Sequence, residues 1–150
     1  MKGLSSWLES DVGDFMKEIA DKHVDFAKNE LNKYGIKIGG NLGNSIIAEK
    51  IDNNSAISSA DGGHAIYVEF GTGIVGKDKP HKEANKFGIT YDRNEHKEKG
   101  WIYPKDNRFY WTKGQPSKPF MYNAKLRLDR AIPKLVGQKA KQLLKKAGYK

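Results

Sequence analysis

Apolar side chains recur three or four positions apart near the start of the chain, at Leu8, Val12, Phe15, Ile19, His23 and Phe26, the spacing of one face of an α-helix. Ser6-Trp7-Leu8-Glu9 has the capping-box spacing and Gly35 supplies a left-handed stop, so the pattern predicts a helix from about residue 6 to 34. The opposite face carries Asp11, Asp14, Glu18, Asp21 and Asp25. At about 1.5 Å per residue such a helix is roughly 40 Å long, more than a small core covers, and part of it is expected against another subunit.

Further along, Gly39 to Ser45 reads as a turn-rich approach to a strand, Ile46 to Asp52; Asn53-Asn54 is a hairpin turn signal, and Ser55 to Ala60 the return strand. His64 to Phe70 is apolar and too short for periodicity to choose between strand and helix. The Gly- and Lys-rich stretch that follows has few large apolar residues and predicts a long mobile loop, about 72–100, ordering against partners. Trp101-Ile102-Tyr103 and Phe109-Tyr110-Trp111-Thr112 flank a five-residue turn, Pro104 to Arg108, and predict a second hairpin with one face in the core. Pro119 suits the first turn of a last helix whose apolar face is Met121, Ala124, Leu128, Ala131, Ile132, Leu135, Leu143 and Ala147. Pro133 lies inside that helix and predicts a kink or a break. The expected fold is α+β, a single domain over residues 1–150: long N-terminal helix, small antiparallel sheet of two hairpins, C-terminal helix.

Composition narrows the chemistry. With 150 residues, one buried core is expected. The absence of cysteine excludes disulfides, Cys-based zinc sites and a thiol nucleophile. Met1-Lys2-Gly3-Leu4-Ser5 lacks a signal-peptide core and no apolar run reaches the roughly 18 residues of a membrane span, so a soluble protein with no membrane partner is expected. The formal net charge of +9 is unevenly spread: residues 1–76 hold 7 basic and 11 acidic side chains, whereas residues 125–150 hold 9 and 1. Such a basic end suits either nucleic acid or an acidic protein surface.

Gly71-Thr72-Gly73-Ile74-Val75-Gly76 has the glycine spacing of a dinucleotide-binding turn, but the βαβ context is lacking and a Gly-rich turn is the better reading. His23, His64, His81 and His96 lie far apart without metal-ligand spacing; His23 reads as a packed core imidazole. Glu69, between Val68 and Phe70, is a carboxylate in an apolar setting, expected to serve a backbone N–H or a Lys as structural partner. The aromatic hairpin with Lys105, Arg108 and Lys113 could stack bases, though a core face is favoured. Arg127, Arg130, Lys134, Lys141 and Lys145 fall near one side of the last helix, a footprint for DNA or an acidic partner. No catalytic group, metal or cofactor is expected.

Three stretches in order carry a resemblance: Gly40-Asn41-Leu42-Gly43-Asn44-Ser45-Ile46 after the long helix, Ala65-Ile66-Tyr67-Val68-Glu69-Phe70-Gly71-Thr72-Gly73, and Gly114-Gln115-Pro116-Ser117-Lys118-Pro119-Phe120-Met121-Tyr122-Asn123-Ala124. Together they resemble the tail-completion and head-to-tail joining family of long-tailed bacteriophages, over nearly the whole chain. The resemblance implies a structural virion protein without catalytic activity. It would assemble in the host bacterial cytoplasm as a homo-oligomeric ring, expected to be a hexamer, and join other neck, connector or tail-tube proteins at the neck or upper tail. The motif positions it singles out as structural are Leu42, Ser45, Tyr67, Glu69, Phe70, Gly71, Thr72, Pro119, Phe120 and Ala124. The charged segment 77–99 departs from the family pattern by inserting between the second and third stretches. Such a ring would set the acidic first helix of one subunit against the basic last helix of the next. The alternative is a free-standing nucleic-acid-binding protein that uses the Lys/Arg-rich C-terminal helix.

Overall fold

The computed structural model describes residues 2–61, 63–91 and 100–148, with only the helical path given for residues 2–10. The fold is α+β: α1 Lys2–Lys33, α2 Asn41–Asn44, β1 Ile46–Lys50, β2 Ala56–Ala60, α3 Ala65–Phe70, α4 Gly73–Asp78, β3 Trp101–Lys105, β4 Arg108–Thr112, β5 Gly114–Gln115 and α5 Phe120–Lys146. The two hairpins form two separate antiparallel two-stranded sheets rather than one. Two compact units result, residues 1–61 with 121–150 and residues 62–120.

In the first unit α1 packs on one face of the β1–β2 hairpin. The buried positions of α1 are Gly13, Ala20, His23, Val24, Ala27, Glu30 and Leu31, while Val12 is exposed and Phe15, Ile19 and Phe26 are half-buried. The apolar stripe expected from large residues alone is therefore rotated. The reason is that α1 has two neighbours. Small residues face the sheet, which approaches so closely that a Cβ on Gly13 would lie 2.5 Å from Lys50 Cε. The large ones turn to α5, where Lys139 Nζ sits 5.6 Å from the Phe15 ring centroid and the Arg127 guanidinium 4.4 Å from that of Phe26. α1 ends as expected: Gly35 takes φ 72° and Ile36 N–H returns to Leu31 O at 3.0 Å. The expected capping box, Ser6 to Glu9, and Leu8 lie outside the described side chains.

The first hairpin runs Ile46↔Ala60 through Lys50↔Ala56, with Asp52 Oδ1 accepting from Asn54 N–H at 2.7 Å in the turn. The run before it is a one-turn helix, α2. Gly43 is buried there against Ile38 O, 1.9 Å from where a Cβ would stand, and Ser45 Oγ closes the turn on Leu42 O at 2.8 Å.

α5 continues through Pro133 with neither break nor second helix. Pro133 is exposed, as is Asp129 four residues earlier, whose carbonyl loses its helical donor at a place water reaches. Ala124 is fully buried.

The second unit corrects two further expectations. Part of the long mobile loop is structured: residues 73–78 form α4, and His81 and Ala84 are buried in the turns that follow. Residues 92–99 of that loop, with His96, lie outside the described residues. The second hairpin turns on two residues rather than five. Asp106 (φ 51°) and Asn107 (φ 57°) are both left-handed, which matches the right-handed twist of the flanking strands, so Pro104, Lys105 and Arg108 belong to the ladder.

Candidate functional site

The second and third resemblance stretches meet in the second unit. The undecided run before Phe70 is a helix, α3, and its last residues are tied to β5 and the three residues after it by main-chain acceptors. Gln115 Nε2 donates to Tyr67 O at 3.0 Å, Lys118 N–H to Val68 O at 2.8 Å, and Ser117 Oγ–H to Glu69 O at 2.6 Å. Beyond Gly71 two isolated antiparallel bridges join the segments, Thr72 with Gln115 and Gly73 with Gly114, and Gln115 N–H also reaches Thr72 Oγ1 at 3.2 Å.

This joint explains the glycines. A Cβ on Gly71 would lie 2.7 Å from Ser117 N, one on Gly73 2.3 Å from Lys113 O, and one on Gly114 1.9 Å from Thr72 O. All three have positive φ, at 80°, 60° and 108°. The dinucleotide-like spacing thus records backbone contact within the chain. A helix does open at Gly73, but it is six residues long and follows a helix instead of a strand.

Behind the joint, Glu69 and His81 are both buried, with His81 Nε2 3.2 Å from Glu69 Oε1. Glu83 N–H donates to His81 Nδ1 at 3.0 Å, which leaves the ring proton on Nε2, facing the carboxylate. This imidazole stands beside Glu69 from 12 residues along the chain, a neighbour that no local pattern announces. The Phe70 ring tilts against His81 with centroids 4.6 Å apart, and Phe87 meets its edge at 5.7 Å. Tyr91 Oη donates to Phe70 O at 2.6 Å while accepting from His81 N–H at 3.3 Å. Phe120, at the end of the third stretch, is fully buried, with Pro119 before it half-buried.

An open cleft of about 1180 Å³ lies beside the joint, lined among others by Tyr67, Thr72, Tyr91, Trp101, Tyr103 and Gln115. Hydroxyls, an amide and aromatic faces make it a surface for contact. His64 also lines it, with no carboxylate among its described lining residues, and the Glu69–His81 pair is buried elsewhere in the unit. Among the described residues no group of three or more His, Asp or Glu could hold a metal, and no described helix is long and apolar enough to cross a membrane.

In the first unit the basic residues of α5 divide. Arg127 Nη1 donates to Glu30 Oε1 at 2.9 Å, and Lys33 Nζ reaches the same oxygen at 2.6 Å. Burial alone would raise the Glu30 carboxyl, but these two cations outweigh it and hold the group below its ordinary range. Near the far end, Lys146 Nζ lies 3.3 Å from Asp11 Oδ2. Acidic α1 and basic α5 therefore pair inside one chain, and the charges expected to join neighbouring subunits are in part already used. Arg130, Lys134, Lys141 and Lys145 stay exposed along α5. His23 is a core residue, with Nδ1 2.7 Å from Ser58 Oγ and Nε2 3.2 Å from Met121 O. Since a carbonyl only accepts, Nε2 carries the proton and the Ser58 hydroxyl donates to Nδ1.

Compared with family models, with curated proteins and with solved structures, the chain matches none.

Proposed function

We propose that the chain is a structural virion protein of a long-tailed phage. In this reading its subunits form a ring at the neck or upper tail, completing the tail and joining it to the head. The observation that carries the reading is the joint between the second and third resemblance stretches. Thr72 and Gln115, 43 positions apart, meet main chain to main chain, and the shared motif residues serve backbone geometry. Glycines fit close approach, the Ser117 and Thr72 hydroxyls bond across the joint, and Phe70 and Phe120 anchor. A subunit that must hold a fixed outline within a ring needs such a joint; a catalyst needs an accessible reacting group.

The test is genetic. A phage lacking the gene should yield filled heads and separate or defective tails, seen by electron microscopy, and complementation in trans should restore joined particles. Normal particles without the gene would refute the reading.

A second reading rests on the exposed row Arg130, Lys134, Lys141 and Lys145, four cations on one helix that suit a phosphate backbone. It is compatible with the first, because a neck ring surrounds the path of the genome.

A further inference from the structure

The eight cations of α5 divide into two sets. Four are engaged within the unit: Lys125 pairs with Asp129, Arg127 with Glu30 and Lys146 with Asp11, while Lys139 Nζ lies 5.6 Å from the Phe15 ring centroid. The other four, Arg130, Lys134, Lys141 and Lys145, are exposed and make no ion pair with any described residue. At about 3.6 residues per turn and about 1.5 Å per residue, these four fall within about 60° of the helix circumference, in a straight row about 22 Å long. No aliphatic or aromatic side chain of α5 falls within that arc. The only acid of the helix, Asp129, lies outside it and is tied to Lys125.

The row is interrupted once. Between Lys134 and Lys141 the position that continues it is Gly137, about 20° from the edge of the row. A glycine inside a helix lowers stability relative to alanine, because it loses more backbone freedom on folding. At Gly13 of α1 the approach of the sheet accounts for it, since a Cβ there would lie 2.5 Å from Lys50 Cε. At Gly137 no described atom comes within 4 Å of where a Cβ would stand, and the residue has no positive φ. A bare patch of helix backbone therefore stands in the middle of the four exposed cations.

We propose that Gly137 is the seat of one phosphodiester strand of duplex DNA. The strand lies along α5 with its ridge against the bare helix, and its phosphates are held by Arg130 and Lys134 on one side of the seat and by Lys141 and Lys145 on the other. This rests on the reading of the row as a phosphate contact, and adds to it the seat, the direction of the strand and the kind of nucleic acid. Four cations without an acid select a polyanion. An acidic protein surface fits less well, because the centres of protein interfaces are rich in aromatic residues and poor in lysine, and this row is Lys, Arg and Gly. A single strand also fits less well. The row is straight and fixed, and a duplex, stiff over about 150 base pairs, offers a strand that is already ordered, whereas a free single strand loses conformational freedom on binding. Contacts confined to phosphates make the binding indifferent to base sequence.

Fluorescence anisotropy of the full chain with a short labelled duplex tests it. Wild type should bind unrelated duplexes equally, and the logarithm of the affinity should fall with the logarithm of salt with a slope near −3.6, about −0.9 for each of four phosphates. Gly137→Leu should raise the melting temperature, since leucine is the better helix former, and yet weaken duplex binding about five-fold or more. Gly137→Ala should move both quantities the same way by less. Val136→Met, which adds bulk at an exposed position about 100° round the helix from Gly137, should leave binding within about two-fold. A higher melting temperature for Gly137→Leu with unchanged binding, or a single strand of the same length bound as tightly as the duplex, would overturn the seat and leave the phosphate reading of the row standing. Three results would overturn both: no duplex binding by wild type, binding that survives when all four row cations are changed to Glu, or polyglutamate bound as tightly as the duplex. The ring reading stands apart from each of these outcomes.

Discussion

At the scale of single residues, the protein spends its polar groups on structure. His23 is buried between Ser58 and the Met121 carbonyl, and burial pushes its pKa down from the ordinary 6.5. A folded pKa below the unfolded one means that the unfolded chain binds the extra proton first. The stability His23 contributes is therefore fully present above about pH 6.5 and declines as the pH falls through 6.5 towards the lower folded value. Urea unfolding at pH 7.5 and 5.5 should show a larger loss for wild type than for His23→Gln; equal losses would contradict the assignment. Gly114 makes a second case. With φ at 108° and Thr72 O 1.9 Å from a would-be Cβ, Gly114→Ala must push two main chains apart. Thermal melting should show a loss of about 2–4 kcal/mol, against less than about 0.5 kcal/mol for an alanine at the open, helical Gly137. His23 was legible in the sequence as a core imidazole because it sat on an apolar period. Its partner Ser58 was not, since no local pattern links positions 35 apart.

Among elements, the long helices were readable and their faces less so. A helix from residue 6 to 34 was predicted and Lys2–Lys33 is observed, because periodicity over many turns is a strong signal. The face was misjudged because size was taken for burial. Gly13, Ala20 and Ala27 are buried since a sheet lies close against them, whereas Val12 is exposed. The first hairpin followed its alternation and turn residues, and the second was right in place but wrong in turn length, because Pro104 was read as a breaker rather than as a residue of an edge ladder. Pro133 is the element whose outcome is easiest to measure. α5 runs through it although the position forgoes one backbone hydrogen bond. Pro133→Ala should therefore stabilise the protein by about 1–3 kcal/mol, seen as a higher melting temperature. No change would mean that the helix already compensates at this exposed site.

For the molecule as a whole, the net charge of +9 first points to nucleic acid, yet part of the opposition between acidic α1 and basic α5 is resolved inside one unit by Glu30 with Arg127 and Asp11 with Lys146. What remains for phosphate is the exposed row Arg130, Lys134, Lys141 and Lys145. If it contacts DNA, binding of a short duplex should weaken steeply between about 50 and 200 mM salt, and changing all four to Glu should abolish it. The same four changes should leave folding intact, because none of these side chains is buried. Binding that persists in the variant would place the contact elsewhere, with Lys105, Arg108 and Lys113 of the aromatic hairpin as the next candidates.

The sequence by itself determined the two long helices, the two hairpins and their order, because helical and strand periods and turn residues are local properties of the chain. Only the tertiary structure decided that Gly71, Gly73 and Gly114 belong to one joint, that Glu69 faces His81, and that Glu30 and Asp11 of α1 pair with Arg127 and Lys146 of α5. Those facts depend on which distant main chains come within a few ångströms. It also decided which apolar faces stay bare. Alternation shows that a strand has two sides, but only packing shows that α1 covers one side of the first hairpin while Ile102, Phe109 and Trp111 on the second are exposed.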